Sequence, residues 1–197
     1  ITDGTIIITQ SYEGIEGANV TLAGGNITIV ASDDGINSAG GSDTASDQRM
    51  GRDPFNSAAN YNITITGGTI AIDASGDGLD ANGSFIMEGG TVTVSGPTGD
   101  NNGALDYDGD STISGVSIIA VGSAGMAQGF SSNSTQPSFI QTLSQSVAGG
   151  TELVLSDAQG NILARFTPAK DYANVVISAP DLTVGETYTL AAGTISQ

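Results

Sequence analysis

Gly24-Gly25-Asn26-Ile27-Thr28-Ile29, Gly67-Gly68-Thr69-Ile70-Ala71-Ile72 and Gly89-Gly90-Thr91-Val92-Thr93-Val94 are three copies of one phrase. Each sets a glycine pair before residues that alternate apolar and polar, the period of a half-buried strand. An earlier copy is Gly4-Thr5-Ile6-Ile7-Ile8, and a weaker one is Gly115-Val116-Ser117-Ile118. From Gly4 to Gly25 is 21 residues, from Gly67 to Gly89 is 22, and from Gly89 to Gly115 is 26. The gap of 43 from Gly24 to Gly67 is one period plus an insertion of similar length.

Two further elements accompany each copy. One is Glu13-Gly14-Ile15-Glu16, Asp34-Gly35-Ile36-Asn37 and Asp77-Gly78-Leu79-Asp80, with looser forms at Asn102-Gly103-Ala104 and Gln128-Gly129-Phe130. The other precedes the glycines: Val20-Thr21-Leu22, Ile63-Thr64-Ile65, Phe85-Ile86-Met87 and Ser111-Thr112-Ile113. Three short strands per period, with no helical spacing, predict one coil of a solenoid per repeat. The expected fold is all-β: a right-handed, single-stranded parallel β-helix of about five coils. Stacking would align Ile6, Ile27, Ile70, Val92 and Ile118 in one interior column, and Ile8, Ile29, Ile72 and Val94 in the next. A β-sandwich of similar strands is the alternative; it predicts hairpin turns every 8–12 residues or so, without a three-part unit in register.

The pattern fades after Ser131. Glu152–Ser156 and Ile162–Phe166 flank Asp157-Ala158-Gln159-Gly160-Asn161, a hairpin signal. The division expected is a β-helix over 1–138, with a loop insertion at 39–60, and a C-terminal β cap over 139–197 on the open end of the stack. The loop holds Arg49 and Arg52, two of the chain's four cations.

The composition narrows the function. Lys and Arg number 4 against 21 Asp and Glu, a net charge of −17 over 197 residues. Nucleic acid and anionic membranes need clustered cations, so neither is an expected partner. No apolar run reaches the roughly 18 residues of a membrane span. There is no cysteine, so no disulfide framework. No leader is visible before Ile1, which suggests a mature chain or excised domain.

The acidic residues fall in columns. Glu13, Asp34 and Asp77 precede the glycines, and Glu16, Asn37 and Asp80 lie three residues on. Stacked carboxylates roughly 5 Å apart repel by about 3 kcal/mol per pair at an effective dielectric near 20. Bound cations would offset this. With no Cys or His, the donors are hard oxygens, which suit calcium and not zinc or copper. One expected site is Glu13, Asp33, Asp34 and Asn37; a second is Asp77, Asp80, Asn82 and Asp106. A solvated acidic ladder without ions is the plain alternative. Asp108-Gly109-Asp110 reads as a turn.

Asp33-Asp34-Gly35-Ile36-Asn37, Gly76-Asp77-Gly78-Leu79-Asp80-Ala81-Asn82-Gly83, Gly122-Ser123-Ala124-Gly125-Met126-Ala127-Gln128 and the segment ending Phe166-Thr167-Pro168-Ala169-Lys170 resemble the clostridial-type cell-surface carbohydrate-binding β-helix proteins. The resemblance spans nearly the whole chain. It implies a parallel β-helix with calcium between coils, similar in fold to polysaccharide lyase family 9, that binds acidic sugars such as polygalacturonate outside the cell. Those lyases hold calcium with an acidic residue and an Asp-Asp-x-x-Asp run; Glu13 and Asp33–Asn37 resemble these, with Asn37 in place of the last aspartate. They also use a basic residue beside the calcium, and the only lysine here, Lys170, lies in the predicted cap.

The function expected is therefore a monomeric, extracellular, calcium-dependent module for acidic polysaccharide, not an enzyme, with Arg49, Arg52 and Tyr61 as sugar contacts. A pectate lyase using Arg49 or Arg52 as base is one alternative. A surface stalk with purely structural calcium is another. Tyr12, Tyr61 and Tyr107 fall near turns; no row of aromatics suggests a flat platform for neutral glucan. The Asn-x-Thr triplets at Asn19, Asn26 and Asn62 coincide with the strand pattern and read as by-products of the repeat.

Overall fold

The computed structural model describes residues 1–39 and 61–193. In chain order the strands are β1 (Thr5–Ser11), β2 (Ile15–Glu16), β3 (Val20–Ala31), β4 (Ile36–Ser38), β5 (Ile63–Ala74), β6 (Leu79–Ala81), β7 (Phe85–Met87) and β8 (Thr91–Ser95). There follow β9 (Leu105–Tyr107), β10 (Ser111–Ile113), β11 (Ser117–Gly122), β12 (Ser138–Val147), β13 (Leu153–Asp157), β14 (Ile162–Phe166), β15 (Tyr172–Ser178) and β16 (Tyr188–Ala192).

The repeated phrase forms one long ladder. Ile6, Ile27, Ile70, Val92 and Ile118 pair in parallel register across β1, β3, β5, β8 and β11. The second glycine of each pair bends the strand: Gly25 and Gly68 have φ of 94° and 98°, a region closed to most side chains. The bend turns the two halves of β3 and β5 in different directions, so Leu22 and Ile29 both reach the core.

The same sheet then changes sense. β15 joins β11 antiparallel, and β12 joins β15 antiparallel. The result is a mixed nine-stranded sheet, ordered β1-β3-β5-β8-β11-β15-β12, with β7 and β10 branching from β5. A parallel four-stranded sheet, β2-β4-β6-β9, lies apart from it, as does an antiparallel three-stranded sheet, β14-β13-β16.

The fold is all-β, but the expected single-stranded parallel β-helix is corrected. Its strands form separate sheets, one of them mixed, in an order like that of a β-sandwich. The physical reason is that the repeat dictates the parallel neighbours of β1 to β11 and is silent on how later strands join. β15 completes the backbone hydrogen bonds of β11 running the other way. The expected hairpin at 152–166 is present as β13 and β14.

One core lies between the large sheet and the four-stranded sheet. Ile36, Leu79 and Leu105 from one pack with Ile29, Ile72 and Val94 from the other. Each such side chain, fully buried, contributes roughly 1.5–3 kcal/mol. A second cluster, around Leu155, Tyr172, Val175 and Ile177, fills the C-terminal strands.

Candidate carboxylate site

The Asp-Gly pairs sit where the chain leaves a long strand and enters the four-stranded sheet. Gly14, Gly35 and Gly78 are small because the large sheet is close. A Cβ on them would strike Ile29, Ile72 and Val94, respectively. That contact fixes the preceding residue, Glu13, Asp34 or Asp77, at the sheet edge. Parallel pairing then stacks Glu16, Asn37, Asp80 and Asp106 as a second column.

Between the two columns, carboxylate oxygens of Asp34, Asp77 and Asp80 lie within 4.8 Å of one another. Asp34 is almost wholly buried, at 9% exposure. Its Oδ1 accepts a hydrogen bond from Asp77 N at 2.6 Å, and Asp77 Oδ1 accepts from Gly103 N at 2.5 Å. Asn37 Nδ2 donates to Asp34 Oδ2 at 3.4 Å. Asn37 is 2% exposed, and its Oδ1 is buried without a hydrogen-bond partner.

Burial, and then the charges of Glu13, Asp80 and Asp77, push the Asp34 carboxyl up from 3.8 to about 8. Asp80 is pushed to about 7 by burial and by Asp77, Asp106 and Asp108. Asp77 rises to about 6, chiefly through burial, against the opposing hydrogen bond from Gly103. Asp106 is also raised, by burial and by Asp108. These groups are therefore strained as anions. A cation would relieve them, and the donors on hand are hard oxygens, including the orphaned amide oxygen of Asn37. That set fits a hard divalent ion.

The two donor sets expected from sequence are rearranged. Asp34 of one lies with Asp77 and Asp80 of the other, because parallel pairing of β4 with β6 brings the two Asp-Gly turns together. Asp33 is half-buried, and Asn82 is exposed beyond Asp80. Tyr61 stands before β5 and Asp77 follows its far end, so the strand separates them. Arg49 and Arg52 lie outside the described residues. Lys170 ties the C-terminal segment to β5: its Nζ is 2.6 Å from Asp73 Oδ1 and donates to Ala74 O at 2.5 Å.

Sequence reasoning missed two groups. Asp108, assigned to a turn, adds its charge to Asp80 and Asp106. Tyr12, read only as near a turn, is the ladder neighbour of Asp33: its carbonyl accepts from Asp33 N at 3.0 Å. Its place directly before Glu13, in the Asp33 column, was the available signal. Two of the three Asn-x-Thr asparagines gain a structural role: Asn19 Oδ1 accepts from Asn62 N, and Asn62 Oδ1 from Ser84 N, a side-chain ladder along one corner.

No curated protein and no solved structure gives a significant match to the chain. A family model described as carbohydrate-binding domain-containing protein matches residues 1–165. That points to a binding module and not a catalyst. The chain belongs to this family of carbohydrate-binding domain-containing proteins.

Proposed function

We propose that the chain is an extracellular module that binds acidic polysaccharide of the polygalacturonate type through calcium held at Asp34, Asp77 and Asp80. Asn37 would add its amide oxygen, with Glu13 and Asp106 flanking. The observation that carries the reading is the meeting of three carboxylates within 4.8 Å, largely desolvated, beside a buried amide oxygen with no partner. Calcium accepts six to eight oxygens in loose geometry, so protein donors leave positions for a sugar carboxylate. The metal would bridge two anions that otherwise repel, which a chain of net charge −17 needs to hold an anionic polymer. Weak calcium sites, half-filled at roughly 10⁻⁴–10⁻³ M, belong to extracellular modules. The same charge favours a monomer by self-repulsion.

Calorimetric titration of the chelator-stripped chain with calcium tests the site. Saturable binding, weakened at least about tenfold by Asp80→Asn, is expected. Unchanged binding in that variant would remove these residues from the site.

A further inference from the structure

Tyr12 occupies the ladder position of Asp33 and Gly76 on the next strands. Its carbonyl accepts from Asp33 N at 3.0 Å, and the Asp33 carbonyl from Gly76 N at 2.9 Å. Tyr12 is 59% exposed. Among the described residues it is the one exposed aromatic; Phe85 and Tyr172 are buried and the others half-buried. An exposed ring alone carries no meaning. This one has a fixed place beside the acids, because its backbone is laddered to Asp33. Beyond Asp33 the column flattens at Gly76, where a Cβ would meet the Asp33 and Asp34 carboxylates. The ring thus stands at the rim of the carboxylate cluster with a face open to solvent. The cluster itself contains more than acids, since the buried Asn37 amide oxygen has no partner there.

We propose that Tyr12 is the sugar-stacking residue of this site: a uronate ring lies on its exposed face while the uronate carboxylate reaches calcium at Asp34, Asp77 and Asp80. The inference rests on the function proposed above. A pyranose presents C–H groups on one face and hydroxyls at its edge. Tyrosine matches both, with an apolar face and a polar tip. The ring supplies affinity for the sugar and none for the metal, so the two contributions separate experimentally.

The test uses the full chain and its Tyr12→Ala and Tyr12→Phe variants, titrated with calcium alone and then with polygalacturonate in calcium. Tyr12→Ala should bind calcium as the parent does and lose about tenfold in polygalacturonate affinity, or ~1.4 kcal/mol. Tyr12→Phe keeps the stacking face and should stay within about threefold. Parent-like polygalacturonate affinity in Tyr12→Ala overturns the stacking role and leaves the calcium-bridged reading standing. Loss of calcium binding in Tyr12→Ala makes the residue a support of the metal site and also overturns the proposal. If the unaltered chain binds calcium but no polygalacturonate, the acidic-sugar reading fails and takes the stacking role with it.

Discussion

Asp34 concentrates the physics of the site in one side chain. It is buried among like charges, and its carboxyl is pushed up to about 8. Asp80 and Asp77 follow at about 7 and about 6. All three start near 3.8 in the unfolded chain, so between about pH 4 and pH 8 the native chain binds more protons than the unfolded one. Without metal, the stability these three carboxyls contribute is fully present below about pH 4 and is lost as pH rises from there to about 8. Thermal melts in chelator at pH 5, 7 and 9 should show Tm declining. Saturating calcium should flatten that decline, since the ion takes the place of the protons. Equal slopes with and without calcium would separate the carboxylates from the metal. Asp34→Asn keeps an oxygen for Asp77 N and removes the charge. At pH 9 it should raise the metal-free stability by about 1–2 kcal/mol while reducing the gain from calcium. A metal-free variant less stable than its parent at that pH would contradict the account.

At the scale of elements, the close approach of the two facing sheets controls the site. A Cβ at Gly78 would land on Val94 Cγ1 and the Ala104 carbonyl oxygen. Gly78→Ala should therefore cost about 3 kcal/mol or more, because a backbone oxygen cannot step aside as a side chain would. Gly99→Ala, with open space around it, should change stability by less than about 0.5 kcal/mol. Urea unfolding of the pair measures both, and equal costs would mean that the sheets are not in contact there. A second device lies beyond β11. The Gln136 amide accepts from Val116 N at 3.1 Å and donates to Val116 O at 2.6 Å and to Ser178 Oγ at 2.7 Å. It acts as one peptide unit of a missing strand. Gln136→Ala leaves those buried groups unpaired and should cost about 2–3 kcal/mol; a neutral result in the same unfolding assay would show that water replaces the amide.

These elements also show what the sequence could reveal. The isoleucine and valine columns were legible because a parallel ladder demands the same residue type at the same place in each repeat. The acid columns were legible for the same reason. The meeting of Asp34 with Asp77 and Asp80 was less legible, because it depends on β4 and β6 becoming neighbours. The antiparallel entry of β15 and β12 was not legible either. Their pairing joins segments such as Ile118 and Ser178 that share no repeated phrase. The nearness of Tyr12 to Asp33 was not legible, because the two become neighbours only after β1 and β3 pair.

For the whole molecule, charge sets the terms. Four cations face 21 carboxylates, and among the described residues Lys170 is spent on Asp73 and Arg165 lies 3.7 Å from Glu152. An anionic polymer has little direct attraction to such a surface, so binding should stand or fall with the divalent ion. The most direct measurement is calorimetric titration of the full chain with polygalacturonate, in millimolar calcium and again after chelation. Binding in calcium that disappears on chelation, and returns when calcium is restored, is the result this account predicts. Binding that survives chelation undiminished, or that is absent in both conditions, would contradict it.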